Sequence, residues 1–292
     1  MNYRHTFHAG NYADVFKHAL LLQLLHALQR KEKGFLYLDT HAGCGTYDLS
    51  SAPASTPAGR ERQPEWPEGI GRLWEAANLP PALDDYVTLV REFNRRMGVD
   101  AAGEQPRFYP GSPWIAALIR RPQDRLVFWE RQPGEAGALR DEFGGRRRTS
   151  VECGDGYGSL RAALPPPEHR ALTLIDPPFE DPDEFDAILK ALREGLQRFP
   201  SGVYAVWHPV TERAQAETFR TALKALTRQP TIWVELAVTA DPQVRMKGCG
   251  LLVINPPWGF AEQLETLLPV LADLLGVDAD AAARWAWLVP ED

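Results

Sequence analysis

The strongest constraint on this chain is a recurrence of very short apolar runs alternating with stretches of helical spacing. Phe35–Leu38, Leu126–Trp129, Thr149–Glu152, Ala171–Ile175 and Val203–Trp207 are each four or five residues long. Helical stretches at Trp114–Arg120, Gly134–Phe143, Gly158–Leu164 and Asp183–Phe199 separate them. Short, largely continuous apolar strands between helices predict a parallel sheet covered on both faces. Three further runs, Ile232–Val238, Gly250–Ile254 and Trp285–Val289, follow closely, with Gly248 between the first two. They predict an antiparallel edge. The expected architecture is an open, doubly wound α/β sheet, whose ligands bind beyond the carboxyl ends of the strands at the switch point.

Ahead of the first strand, Asn11 and Asp14 have capping-box spacing and open a helix that runs to about Lys31, with Gly34 ending it. Apolar residues wrap most of its circumference, so it is expected to be buried. Residues 51–82 are rich in Pro, Ala and Ser, and Asp84–Met97 then reads helical. This is not a βα unit. Residues 51–106 are therefore read as a small helical insertion into a main domain made of residues 1–50 and 107–292. No apolar run reaches the ~18 residues of a membrane span. The N-terminus is polar, without the apolar core of an export signal. The three cysteines are far apart and cannot make a disulfide framework. A reducing, cytoplasmic location is expected, with no membrane partner.

In such a sheet the residues just after each strand are the ones to inspect. The first strand ends in Asp39-Thr-His-Ala-Gly-Cys-Gly45, the second in Glu130-Arg-Gln-Pro133, the third in Cys153-Gly-Asp-Gly-Tyr157 and the fourth in Asp176-Pro-Pro-Phe179. Any one such turn is ordinary, because turns favour Gly, Asp and Pro. Four in register are harder to dismiss. The Gly43-Cys-Gly45 turn lets backbone approach a ligand closely, but it lacks the spacing of a dinucleotide fingerprint or a phosphate loop. Glu130 stands where nucleoside-binding α/β folds hold a ribose diol. Asp155 is placed to accept from the exocyclic amine of a bound adenine. Taken singly, each of these two acids reads first as a solvated strand end or a helix cap.

Asp176-Pro-Pro-Phe179 is the sharpest signal. Two prolines remove two backbone donors and fix the turn, leaving the Pro177 carbonyl as an acceptor. A carboxylate, a carbonyl and an aromatic ring within four residues suit an exocyclic amine on a planar ring: the ring stacks on Phe179 and the amine donates to Asp176 and to Pro177. The amine lone pair of adenine is delocalised and weakly nucleophilic. Accepting its hydrogens localises the pair for attack on an electrophilic methyl group, and Asp176 takes the departing proton directly or through water. Asn255-Pro-Pro-Trp258 has the same form. It closes a late strand expected to be antiparallel, and is read as structural.

Taken together, [DN]-P-P-[FW], Tyr3-Arg-His-Thr-Phe-His-Ala-Gly-Asn11, Asp14-Val-Phe-Lys-His18, Phe35-Leu-Tyr-Leu-Asp-Thr-His-Ala-Gly43, Tyr109-Pro-Gly-Ser-Pro113 and Ile254-Asn-Pro-Pro-Trp258 resemble the RlmJ-type methyltransferases over nearly the whole chain. The resemblance implies a Rossmann-like class I fold, S-adenosylmethionine as cofactor and S-adenosylhomocysteine as product. It also implies N6 of one adenine in 23S ribosomal RNA, or in its protein-poor assembly precursor, as substrate, and a monomer. Asp176, with Pro177 and Phe179, matches the catalytic turn. His18, His41, Ser112, Glu130, Asp155, Gly156 and Asp176 match cofactor-binding positions. Tyr3 matches a residue that meets the target nucleotide, and Arg4 and Lys17 lie in the same segment. Phe179 stands where Tyr is usual, which keeps the ring and drops a hydroxyl. Without the resemblance, His18 reads as a core histidine, Ser112 as a helix cap and Lys17 as a snorkelling surface residue. His5-x-x-His8 lacks a third metal ligand at supporting spacing, so no metal is expected.

Other substrates for the same chemistry are a DNA adenine, cytosine N4 or a protein glutamine amide, and a different class altogether is a non-catalytic nucleic-acid-binding module. The net charge of -7 weighs against nucleic acid, but the charge is uneven. Residues 256–292 hold seven acids against Arg284, whereas residues 1–33 hold five cations against two acids. The N-terminal segment is therefore the part expected to meet RNA, with Arg91, Arg95 and Arg96 as further candidate phosphate contacts.

Overall fold

The structure is a computed structural model that describes residues 5–50, 63–99, 103 and 105–291. Tyr3, Arg4 and part of the 51–106 segment lie outside the described residues. In chain order the elements are α1 (Tyr12–Gln29), β1 (Leu36–Asp39), β2 (Thr46–Asp48), α2 (Ile70–Glu75), α3 (Pro81–Arg96), β3 (Phe108–Pro110), α4 (Ser112–Ile119), β4 (Arg125–Glu130), α5 (Pro133–Phe143), β5 (Thr149–Cys153) and α6 (Ser159–Ala163). They continue as β6 (Ala171–Ile175), α7 (Glu184–Arg198), β7 (Val203–Val210), α8 (Arg213–Leu226), β8 (Thr231–Ala237), β9 (Gly248–Ile254), α9 (Phe260–Leu275) and β10 (Ala282–Val289).

Among the described residues one sheet runs in the order β10-β8-β9-β7-β6-β1-β4-β5. The five strands β7-β6-β1-β4-β5 are parallel, and β9 runs antiparallel between β7 and β8. Chain order reverses at β1, which lies between β4 and β6 and so marks the switch point. This is the Rossmann-like class I methyltransferase arrangement. Side chains alternate across the sheet as a pleat requires. Tyr37, Phe128 and Leu174 face one apolar cluster with α1, α3, α4 and α9, while Leu36, Leu38 and Ile175 face a second with α6, α7 and α8. No helix of the described residues is long and apolar enough to cross a membrane.

The differences from expectation are local. In α1, Asn11 caps as expected, its Oδ1 accepting from the backbone N–H groups of Ala13 and Asp14 at 3.0 Å. Asp14 reaches back past the cap residue to the N–H of Gly10 at 3.0 Å, one position beyond a capping box. The helix ends at Gln29, ahead of Gly34. Gly34 serves a different end: a Cβ there would collide with the Gln123 carbonyl, so the two loops can touch only through glycine. The sequence gives no sign of α2, and α9 holds a proline, Pro269, inside the helix. Helix α3 begins at Pro81, where a proline costs nothing at the first turn. Its buried face, including Tyr86, Val90 and Phe93, shares the first cluster with α1. The short antiparallel pair β2–β3 joins Thr46–Asp48 to Phe108–Pro110 and so clasps the chain on either side of this excursion.

Candidate active site

The carboxyl ends of β6, β1, β4 and β5 lie side by side, and backbone bonds tie their turns together: Thr40 N–H donates to Leu174 at 3.1 Å, Ala42 to Trp129 at 2.9 Å and Gly154 to Glu130 at 3.0 Å. Glu130 is buried at the end of β4, its two carboxylate oxygens accepting from Gly43 N–H (2.9 Å) and Gln132 N–H (2.7 Å). Burial raises its pKa, against the pull of those donors. Gly43 and Gly45 have φ of 63° and 89°, conformations a side chain would strain. Gly156 has no room for a Cβ, because one would run into the Thr40 carbonyl. Asp155 is exposed beside it, accepting from Tyr157 N–H at 3.3 Å. His41 shares a hydrogen bond with the Thr40 hydroxyl at 2.7 Å and lies edge-on to Tyr157, 5.0 Å between ring centres. Burial pushes its pKa down to about 4, so the ring is neutral near pH 7.

Asp39 was not singled out by sequence, yet it is fully buried at the end of β1. It accepts from the Tyr37 hydroxyl at 2.9 Å, from His41 N–H at 3.3 Å and from the Ser112 hydroxyl. Burial pushes its pKa up to about 6 despite these donors. Ser112 is thus not a helix cap: Gly111 holds the cap position, and Ser112 opens α4 with its hydroxyl on Asp39. The signal for Asp39 was present, an acid closing the central strand.

Lys17 departs most from expectation. Read as an RNA contact, it is 5% exposed, and its ammonium lies 2.5 Å from Asp176 Oδ2 and 2.9 Å from Asp14 Oδ1. Burial disfavours that charge, but Asp14 and Asp176 outweigh it and hold the pKa above the ordinary lysine value. Asp14 in turn sits 2.9 Å from His5 Nε2, so a chain His5–Asp14–Lys17–Asp176 runs from the N-terminal segment to the catalytic turn. Asp14 could have been found as the i,i+3 partner of Lys17 on the same helix face. His8 goes to a different carboxylate, Glu65, at 2.9 Å. His18 is buried behind Lys17, its Nδ1 2.7 Å from the Tyr109 hydroxyl, which is 2.7 Å from that of Tyr86. Burial takes its pKa down to about 3. Among the described residues it shares no hydrogen bond with the strand-end turns.

In the Asp176-Pro-Pro-Phe179 turn, Pro177 is buried and the Asp176 side chain is 15% exposed. Phe179 has φ of 50°, which is costly for an L-residue with a bulky side chain. It is held there by Phe185 and Trp207, with ring centres 5.1 and 5.8 Å away. Outliers of this kind cluster at functional sites.

Three acids, Asp39, Glu130 and Asp155, meet at these turns, and among the described residues none has a salt-bridge partner. Glycines at 43, 45 and 156 let the same turns pack closely, since a Cβ there would meet Tyr47, Glu142 or the Thr40 carbonyl. Carboxylates without a cationic partner, gathered at glycine-rich turns, fit a cationic nucleoside that presents a sulfonium, an amine and a ribose diol. S-adenosylmethionine is such a molecule.

The family model described as "Ribosomal RNA large subunit methyltransferase D, RlmJ" matches residues 32–289. Two relatives named ribosomal RNA large subunit methyltransferase J, from Haemophilus influenzae and Escherichia coli, are 41% and 42% identical over 292 residues, with the whole of each chain covered. The crystal structure of protein LPL1258 from Legionella pneumophila superposes with a TM-score of 0.82 at 33% identity, covering 96% of this chain and 97% of that one. On these grounds the chain belongs to the RlmJ family of ribosomal RNA large-subunit methyltransferases.

Proposed function

We propose that this protein transfers the methyl group of S-adenosylmethionine to N6 of an adenine in 23S ribosomal RNA, leaving S-adenosylhomocysteine. The observation that carries this reading is the strained Asp176-Pro-Pro-Phe179 turn beside the glycine turn of β1, against which the β5 turn packs through Gly156 and Thr40. Glu130, His41, Ser112 through Asp39, and the Asp155-Gly156 pair would hold the cofactor, with His18 supporting the cleft from behind. The cofactor supplies an electrophilic methyl group when bound. The chain supplies the rest. Asp176 Oδ2 is engaged by Lys17, so Oδ1 is the oxygen offered to the amine, with the Pro177 carbonyl as second acceptor and Phe179 as the stacking surface. Drawing both amine hydrogens into hydrogen bonds localises the nitrogen lone pair, and the carboxylate takes the proton released on methylation. A base within an RNA duplex must be unstacked to reach such a cleft, which an unpaired adenine does at least cost.

Residues 51–106 form an insertion in a domain made of residues 1–50 and 107–292, and Tyr3 and Arg4 meet the target nucleotide. The substrate is 23S RNA itself or a protein-poor precursor in the bacterial cytoplasm, met by a monomer. Labelled methyl transfer onto unmodified 23S RNA, followed by mass-spectrometric mapping, tests the reading. Label on N6 of one adenine supports it, and label on cytosine N4, on DNA or on protein overturns it.

A further inference from the structure

The two edges of the parallel sheet carry opposite charge. At the catalytic edge the strand ends contribute Asp39, Glu130, Asp155 and Asp176. At the other edge, the loops that lead into β1, β4, β5 and β6 (residues 30–34, 120–125, 144–149 and 165–170) hold ten Lys and Arg against three acids, although the chain as a whole is at -7. Strand register puts the starts of these four strands side by side, Leu36 opposite Arg125 and Ala171, and Leu126 opposite Thr149. The loops are also bonded to one another. Arg121 donates to the carbonyls of Gln29 and Lys31 at 2.9 Å, Arg170 to those of Lys33 and Leu28, and Arg120 to that of Arg147.

These bonds give a structural reason for Arg120, Arg121 and Arg170, which cap loop and helix carbonyls. They give none for Lys31, Lys33 and Arg147, whose exposed side chains make no hydrogen bond or ion pair among the described residues. Two of the three acids are already used: Asp124 pairs with Arg121, and Glu168 is shared by Arg125 and Arg148. Like charges consequently crowd. Burial lowers the pKa of Arg146, and the nearby Arg96 and Arg120 lower it further. Burial likewise lowers that of Arg170, with Arg121 adding to the effect. An anion laid across this surface would relieve that repulsion.

A second observation lies at the same edge. Because β9 is antiparallel to β7, the turn after it comes out among these loops. Trp258 there is 82% exposed, with the Arg30 guanidinium 5.4 Å from its ring centre and donating to its carbonyl at 3.1 Å. An exposed indole braced by arginine in a basic field is the arrangement that stacks a base while phosphates are gripped nearby. Glu262 beside it is the local counter-charge.

We propose that this basic edge is a second RNA-binding surface, which holds the phosphate backbone of a part of the ribosomal RNA distant from the methylated base, with Trp258 as a stacking platform. It rests on the reading of the substrate as ribosomal RNA. The acids of the catalytic edge add nothing to the hold on phosphate, so a large RNA gains further grip from the basic loops at the opposite edge. Strands of four to six residues separate the two edges by only about 13–20 Å before loops are added, a span that a folded RNA with neighbouring helices can straddle.

The test compares a long 23S fragment with a short stem-loop that carries the target adenine but cannot reach both edges. Equilibrium binding and methyl transfer are measured for each across a salt series with K31Q/K33Q/R147Q and with W258A. The triple variant is expected to weaken binding of the long fragment about tenfold. It should also flatten the dependence on salt, by up to about 0.9 in log–log slope per lost phosphate contact. Its kcat/KM on the stem-loop should stay within about twofold of the parent, an activity check of the intact fold. W258A is expected to weaken the long fragment several-fold with the salt slope unchanged, as loss of stacking on a base requires. Equal losses on both RNAs, or no loss on the long one, would overturn the proposal. A parent protein that bound the long RNA yet methylated neither would sink the functional reading, while the binding series still judged the basic edge.

Discussion

The chain contains nearly the same four residues twice, Asp176-Pro-Pro-Phe179 and Asn255-Pro-Pro-Trp258, each after a buried strand. The first closes β6 at the catalytic edge of the sheet, and the second closes the reversed strand β9 at the opposite edge. In the first, the strained backbone falls on the aromatic, with Phe179 at φ 50°, and the polar residue keeps a charged partner in Lys17. In the second, the positive φ falls on Asn255 (53°), a residue type that tolerates it. The Asn255 amide spends both hydrogens on the carbonyls of Pro200 (2.8 Å) and Gly202 (2.7 Å). One turn stores strain and offers acceptors, whereas the other is relaxed and satisfied. Proline spacing and an aromatic do not make an active site. Strand direction decides where the turn points.

That contrast can be broken by experiment. The largest effect is expected from Asp176→Ala, which should lower methyl transfer to ribosomal RNA by roughly 10²–10⁴-fold, the scale of a lost general base. Full activity in this variant would remove the catalytic half of the comparison. Asn255→Ala should do the reverse, costing about 1–3 kcal/mol of unfolding free energy by orphaning two carbonyls while leaving kcat within a few-fold. Denaturant unfolding alongside the methylation assay measures both. Asn255→Asp on an Asp176→Ala background is the sharpest variant of all, since it writes an Asp-Pro-Pro-aromatic turn into the wrong edge. No activity should return.

A smaller effect separates the edges by pH. Asp39 titrates near 6 in the folded chain against an ordinary value of 3.8. The native state therefore holds more protons than the unfolded state within that window, and stability falls as pH rises through it, by at most about 1.4 kcal/mol per pH unit. Above about pH 6 the loss is complete and the contribution is flat. Asp39→Asn should remove this slope in an unfolding series, and Asn255→Ala should keep it. The smallest effect is expected from Trp258→Ala, within about 0.5 kcal/mol of the parent stability, because an exposed ring has little packing to lose.

The strands and their order of appearance were legible because four or five consecutive apolar residues between helical stretches have few other ways to be buried. The turns were legible for the same reason: once the strands are parallel, their ends must meet. Lys17 was misread because its meaning depends on Asp176, 159 residues away, and no local pattern distinguishes a snorkelling lysine from one buried against two carboxylates. Asp39 passed unremarked because a buried acid looks, in sequence, like any acid at a turn. By contiguous segment, Arg30, Lys31 and Lys33 count toward a basic N-terminal end, whereas the fold assigns them to the basic edge. That edge is assembled from four loops which become neighbours only when the sheet forms.

The β2–β3 clasp bears on how this chain could vary in length. Because Thr46–Asp48 and Phe108–Pro110 are paired to each other, the polypeptide between them leaves and re-enters the fold through one doorway. What lies beyond the doorway is not all loop, for α2 and α3 bury Leu73, Tyr86 and Phe93 in the core shared with α1, and only chain outside those helices can change in number at the low cost of loop closure. Tyr109, whose hydroxyl lies against His18, sits in the clasp itself, so the hydrogen bond that reaches α1 does not depend on how long the loop becomes.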